Sequence, residues 1–106
     1  MDNFNAIYKM LKTLEGAMDF PEFDINQINH EKMGISCERW ARYIEMMSDI
    51  GLIKGAGICR DIMGETCIDG SDIRITLKGL EYLAENPAMQ KLYKAAKGIK
   101  DITPWL

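Results

Sequence analysis

Among the side chains able to do chemistry, three cysteines and one histidine come first. Cys37, Cys59 and Cys67 form no C-x-x-C pair and have only His30 to complete a ligand set, so the spacing of a zinc site is missing. An odd count also argues against a disulfide framework. Cys59 and Cys67 can approach each other across a hairpin, but a redox sensor needs an exposed thiolate of lowered pKa, and the thiols are read as reduced and structurally incidental. His30 has no carboxylate, cysteine or serine at a recognisable catalytic spacing, and a general base needs such a partner within hydrogen-bond reach. It reads as a surface or capping residue. Gly55-Ala56-Gly57 precedes no helix and lacks the third glycine of a phosphate-cradling loop. Carboxylates paired for hydrolysis have no supporting pattern either. The expectation is a protein that is not an enzyme and takes no cofactor and no metal.

The chemistry that remains is that of binding. Ser36 opens a helical stretch, 37–50, in which Arg39 and Arg42 have the planar fork that donates twice to guanine or to phosphate. With this helix in a major groove, Ser36, Glu38, Arg39 and Arg42 lie at the base edges. Lys54, Arg60 and Arg74 add positive charge from a following hairpin, and Lys78 from just beyond it. Opposing this, Glu38, Glu45 and Asp49 share the outward face with Arg42 and repel phosphate. Glu38–Arg42 and Arg42–Glu45 are also at helical neighbour spacing, which suits a solvated ion pair. The formal net charge is −3 and the sequence pI about 5.1, against the usual electrostatics of nucleic-acid binders. The imbalance is uneven: residues 1–53 carry five basic and nine acidic side chains, residues 54–106 eight and seven. Any electropositive face is therefore local. Outward Met46 marks a surface for a protein partner, which keeps a protein-interaction module without DNA binding as the alternative.

These residues need elements to hold them. A chain of 106 residues fits one domain, 1–106, with 47% apolar and 27% charged residues, the composition of a packed globular unit. Its longest apolar stretches fall well short of the ~20 residues that span a bilayer, and no signal-peptide pattern opens it, so a cytoplasmic protein with no membrane partner is expected. Phe4, Ile7, Tyr8, Leu11, Leu14 and Met18 mark a first helix over about 3–18, ended by the Pro21 region. Asp24 can cap a second, about 25–33, with Gly34 as its C-terminal stop. Trp40, Tyr43, Ile44, Met47 and Ile50 form one stripe of the third, and Gly51 closes it. Glycine- and turn-punctuated β segments over about 52–76 make a hairpin. Thr76 caps a helix over 77–86, where Gly79 fits a close helix-to-sheet approach. Asn86-Pro87 starts a last helix over about 88–100. That helix has a basic flank (Lys91, Lys94, Lys97, Lys100) and an apolar side that either packs on the first helix or pairs with a second copy. Trp105 and Leu106 in the tail are expected to fold back on the body.

The order of elements is that of an α+β winged helix-turn-helix: a three-helix core, a β-hairpin wing and additional C-terminal helices. Three motifs sharpen it. They are Gly51-Leu52-Ile53 before the hairpin, Ile75-Thr76-Leu77-Lys78-Gly79-Leu80-Glu81-Tyr82-Leu83 after it, and Tyr93-Lys94-x-x-Lys97-x-Ile99-Lys100-Asp101 near the end. With these the chain resembles the YjcQ-like family of small winged-helix proteins of Gram-positive bacteria and their phages. The resemblance implies a winged-helix fold and a DNA-binding or regulatory role, without an assigned biochemical activity. The expected function is a DNA-binding regulator acting as a homodimer through its C-terminal helix.

Overall fold

The structure is a computed structural model, described here for residues 3–21, 24, 27–70 and 72–97. Helix α1 (Asn3–Gly16) runs through the middle of the helical layer, touching helices α4 (Leu77–Glu85) and α5 (Pro87–Ala96) and strand β4 (Arg74–Ile75). Contact on several sides widens its buried face beyond the expected stripe. Ala6 and Met10 are fully enclosed with Leu11 and Leu14, while Phe4 and Met18 stay exposed, Met18 in the 3-10 turn that follows the helix.

Helix α2 is a single turn, His30–Met33, rather than a helix over about 25–33. Its N-cap is Asn29, whose side chain accepts from the Lys32 amide at 2.9 Å. An Asx cap at this point starts the helix late and leaves Ile28 in the bend just before it. Ile28 is nonetheless fully buried, and its carbonyl accepts the Trp40 indole N–H at 2.6 Å. Residues 25 and 26 lie outside the described residues. Gly34, at φ 69°, closes the turn as a left-handed C-cap.

Ser36 caps helix α3 (Cys37–Asp49) by accepting the Arg39 amide at 3.1 Å. Trp40, Ala41, Tyr43, Ile44 and Met47 are buried. Ile50, expected on that stripe, is 54% exposed, because the chain leaves the helix there and Leu52 takes the core position at 3% exposure.

The hairpin is divided. Strand β1 (Ile53–Lys54) pairs with β4 antiparallel, Ile53 opposite Ile75, and this base packs into the core. Strands β2 (Gly57–Arg60) and β3 (Thr66–Asp69) form the outer wing, Cys59 opposite Cys67. Between the two lies Gly55 at φ 82°, where a Cβ would sit 2.0 Å from the Asp72 carbonyl oxygen. The wing turn is closed by Asp61, whose carboxylate accepts from the amides of Met63 (2.8 Å) and Glu65 (3.0 Å). Ile62 and Met63 stand exposed at the tip.

Thr76 caps α4 by accepting the Gly79 amide at 3.0 Å, and its hydroxyl donates to the Gly51 carbonyl. Asn86 ends α4 and caps α5, accepting from the amides of Ala88 and Met89, with Pro87 at the first helical position. Helix α5 lies on α1 and α4 within the chain, with Met89 fully buried. Of the expected 88–100 helix, residues 98–100 lie outside the described residues, as do Trp105 and Leu106 of the tail.

Candidate nucleic-acid interface

Helix α3 presents an outward ridge, Glu38 and Arg42, flanked by two depressions. On the wing side a cavity of about 220 Å³ is lined by Cys37, Glu38, Ala41 and Arg42 from the helix and by Arg60, Gly64 and Glu65 from the wing. On the other side a groove of about 650 Å³ runs to the start of α1, lined by Phe4, Ile7, Ser36, Arg39 and Met46 among others. Wing and helix are joined by an ion pair, Arg60 Nη2 to Glu45 Oε2 at 3.1 Å. Sequence spacing suggests Arg42 as the partner of Glu45, but the wing arginine occupies that carboxylate. Arg42 is exposed and makes no hydrogen bond or ion pair among the described residues.

The other expected site residues divide by what holds them. Arg39 donates from Nη1 to Asn3 Oδ1 (2.8 Å) and to the Tyr43 hydroxyl (3.3 Å), and that hydroxyl also donates to Asn3. The trio ties the N-terminus of α1 to α3, so Arg39 has a positioning part at the edge of the face. Arg74 donates to the carbonyls of Ile73 (2.8 Å) and Pro21 (2.9 Å), anchoring the base of the hairpin to the segment after α1. Lys54 lies opposite Arg74 and is exposed. Lys78 is exposed beside Ile50 and Leu52, beyond the far end of α3. Glu38, Arg42 and Arg60 thus come together around one cleft, with Ser36 at the head of the helix, while Arg74, Lys54 and Lys78 do not line it. Sequence reasoning missed Glu45 as the partner of Arg60 and Asn3 as the partner of Arg39. Those pairs are 15 and 36 residues apart, and no local pattern announces them.

Cys59 and Cys67 are joined by a disulfide, not left as reduced thiols. They face each other directly in the ladder with Cα atoms 5.2 Å apart, inside the span a disulfide bridges. Cys37 is free and exposed. Among the described residues no group of three or more His, Cys, Asp or Glu is placed to hold a metal ion, and no helix is long and apolar enough to cross a membrane.

A helix, a tight turn, a second helix at the surface and a hairpin wing beside it define a winged helix-turn-helix domain of the α+β class. Residues 8–102 match the YjcQ protein family, and the chain belongs to it. Among solved structures it is similar to the PcaV transcriptional regulator from Streptomyces coelicolor, solved in complex with its natural ligand. The identity is 16% and the TM-score 0.47, over 92% of this chain and 61% of that one. The chain thus spans somewhat under two thirds of that regulator's length. No curated protein matches it.

Proposed function

We propose that this chain is a DNA-binding regulator that reads a duplex with α3 and its wing, and that it binds rather than catalyses. The observation that carries the reading is the unpaired, exposed Arg42 on the ridge of α3, beside a Glu45 whose charge Arg60 already offsets. An arginine without an internal partner is free to make a bidentate contact to guanine or phosphate, and one of its two neighbouring carboxylates, Glu45, is offset from the wing, while Glu38 remains on the ridge beside it. Ser36 and Glu38 lie on the same approach, while exposed Lys54 and Lys78 are available to flanking phosphates. Arg39 supports the surface through Asn3 and Tyr43. The protein acts in the cytoplasm. A homodimer through α5, whose Tyr93 is 40% exposed in the cleft it lines with α1, places two α3 helices on the halves of a palindromic site. Light scattering reads that state, and a monomer at tens of micromolar (roughly) refutes it.

One observation favours a second reading. Phe4 and Met46, 48% and 50% exposed, line the groove between α1 and α3, and an apolar surface beside the ridge suits a protein partner. Titration of fluorescent genomic duplexes separates the two readings. Binding that weakens steeply with salt and is reduced by Arg42→Ala supports DNA; no binding at about 50 mM salt refutes it.

A further inference from the structure

We propose that Cys59 and Cys67 form a reversible thiol–disulfide site that exchanges with low-molecular-weight thiols, and that its oxidation state sets the order of the wing. Three features carry this. The two residues are directly opposite in the β2–β3 ladder, so oxidation needs no backbone rearrangement. Both are exposed, so a small thiolate can reach the bond. And the ribbon they cross-link is short: four residues per strand, tied to the body by Ile68 packed against the core and by the Arg60–Glu45 ion pair.

The exchange balances as follows. One thiolate attacks a wing sulfur, the Sγ–Sγ bond breaks and a mixed disulfide forms. A second thiolate attacks the mixed disulfide and leaves as the small-molecule disulfide. The wing gains two electrons and two protons as two thiols, and the two small thiols are oxidised. In a reducing compartment a disulfide of this accessibility is opened; under oxidative load it closes.

The consequence follows from strand geometry. A two-stranded ribbon is marginal in water, and a slip of one residue turns every side chain to the opposite face. The covalent link fixes Cys59 against Cys67 and therefore holds Arg60 on the side that meets Glu45. With the link open, the short ladder, the Asp61 turn and the packing of Ile68 against the core hold the register without a covalent tie. Oxidation thus locks the cleft between wing and α3, and reduction loosens it. The effect on DNA rests on the function proposed above; the effect on the wing does not.

The test uses the full chain equilibrated in glutathione buffers of graded ratio, trapped with N-ethylmaleimide and weighed intact, with hydrogen exchange on the fully oxidised and reduced forms. The expected result is a gain of two labels in one two-electron step at Cys59 and Cys67, with Cys37 labelled throughout. Exchange of the amides in 57–60 and 66–69 should rise at least about tenfold on reduction. Cys59→Ser/Cys67→Ser should behave as the reduced form in every buffer. Failure of the bond to form in the most oxidising buffer, or unchanged wing exchange on reduction, overturns the proposal. Duplex titration of the two forms separates it from the DNA reading. Absence of DNA binding in both forms refutes that reading alone, whereas a wing that changes with oxidation state supports the redox site in either case.

Discussion

Replacing Gly79 by alanine is expected to destabilise the fold, although the same change in an exposed helix usually helps. Glycine inside a helix costs about 1 kcal/mol relative to alanine, so propensity alone favours the variant. Gly79 lies in the first turn of α4 where the helix backbone meets the base of the hairpin. A Cβ there would lie 2.3 Å from the Leu52 carbonyl oxygen and 2.6 Å from Ile75 Cγ1. Neither neighbour yields easily. The Leu52 carbonyl accepts the Thr76 amide at 3.1 Å and belongs to the chain entering β1, and Ile75 is part of the core. Helix α4 must therefore lift away, loosening Leu83 and the Thr76 cap. Overpacking of this kind costs about 1–3 kcal/mol, and because the contact is to backbone the upper half of that range applies. After the propensity gain a net loss of about 1–2 kcal/mol remains, or a fall in Tm of roughly 5–15 °C for a chain of this size. Circular dichroism melting and urea titration of Gly79→Ala measure it. Gly16→Ala is the control: its backbone is right-handed helical, nothing lies within 4 Å of the added methyl, and it should be neutral or slightly stabilising. A Gly79→Ala protein as stable as the parent would refute the close-approach argument.

Other substitutions probe the supports of the candidate site. Tyr43→Phe removes the hydroxyl between Arg39 and Asn3 and should cost about 1 kcal/mol in urea unfolding while leaving α3 formed. Trp40→Phe strands the buried Ile28 carbonyl and should cost about 2 kcal/mol, read by the same titration. Asn86→Ala deletes the side-chain cap of α5 and should lower stability by about 1 kcal/mol, with helicity lost first in that segment by hydrogen exchange. The Glu15 carboxylate, by hydrogen bond and charge, holds the Lys12 ammonium above its usual pKa of 10.5. A raised folded-state pKa stabilises below the unfolded value and is lost as pH rises through the folded one. Because the pair is well exposed, Glu15→Gln should cost only a few tenths of a kcal/mol at pH ~8, a difference that fades as pH rises through the raised Lys12 pKa.

What was legible in the sequence follows what is local. Ser36, Thr76 and Asn86 announced their helices because a cap acts within three residues, and all three accept the amides that cap geometry requires. The second helix reads too long in the sequence because Asn29, five residues beyond Asp24, offers a good cap nearer the buried Met33. The apolar stripe of α1 was drawn too narrow because periodicity assumes one partner, and α1 has several. The pairings that shape the interface, Arg60 with Glu45 and Arg39 with Asn3 and Tyr43, are tertiary, and neither charge nor spacing selects them from the alternatives. Cys59 and Cys67 were placed on facing strands from the sequence, but glycine-rich strands left their register open, and register decides whether the two sulfurs meet.

The claim that matters most is that the ridge of α3 touches DNA, and the most direct measurement is the salt dependence of duplex binding by the parent and by Arg42→Ala. Genomic fragments around the native locus, titrated at about 50 and 200 mM salt, give the affinity and its slope. Measurable binding is expected at the lower salt. Arg42→Ala should be weaker by about 1–3 kcal/mol if the arginine reads a base, or show a slope smaller by about one if it contacts a phosphate. Undetectable binding at the lower salt, or affinity and slope unchanged by Arg42→Ala, would contradict it.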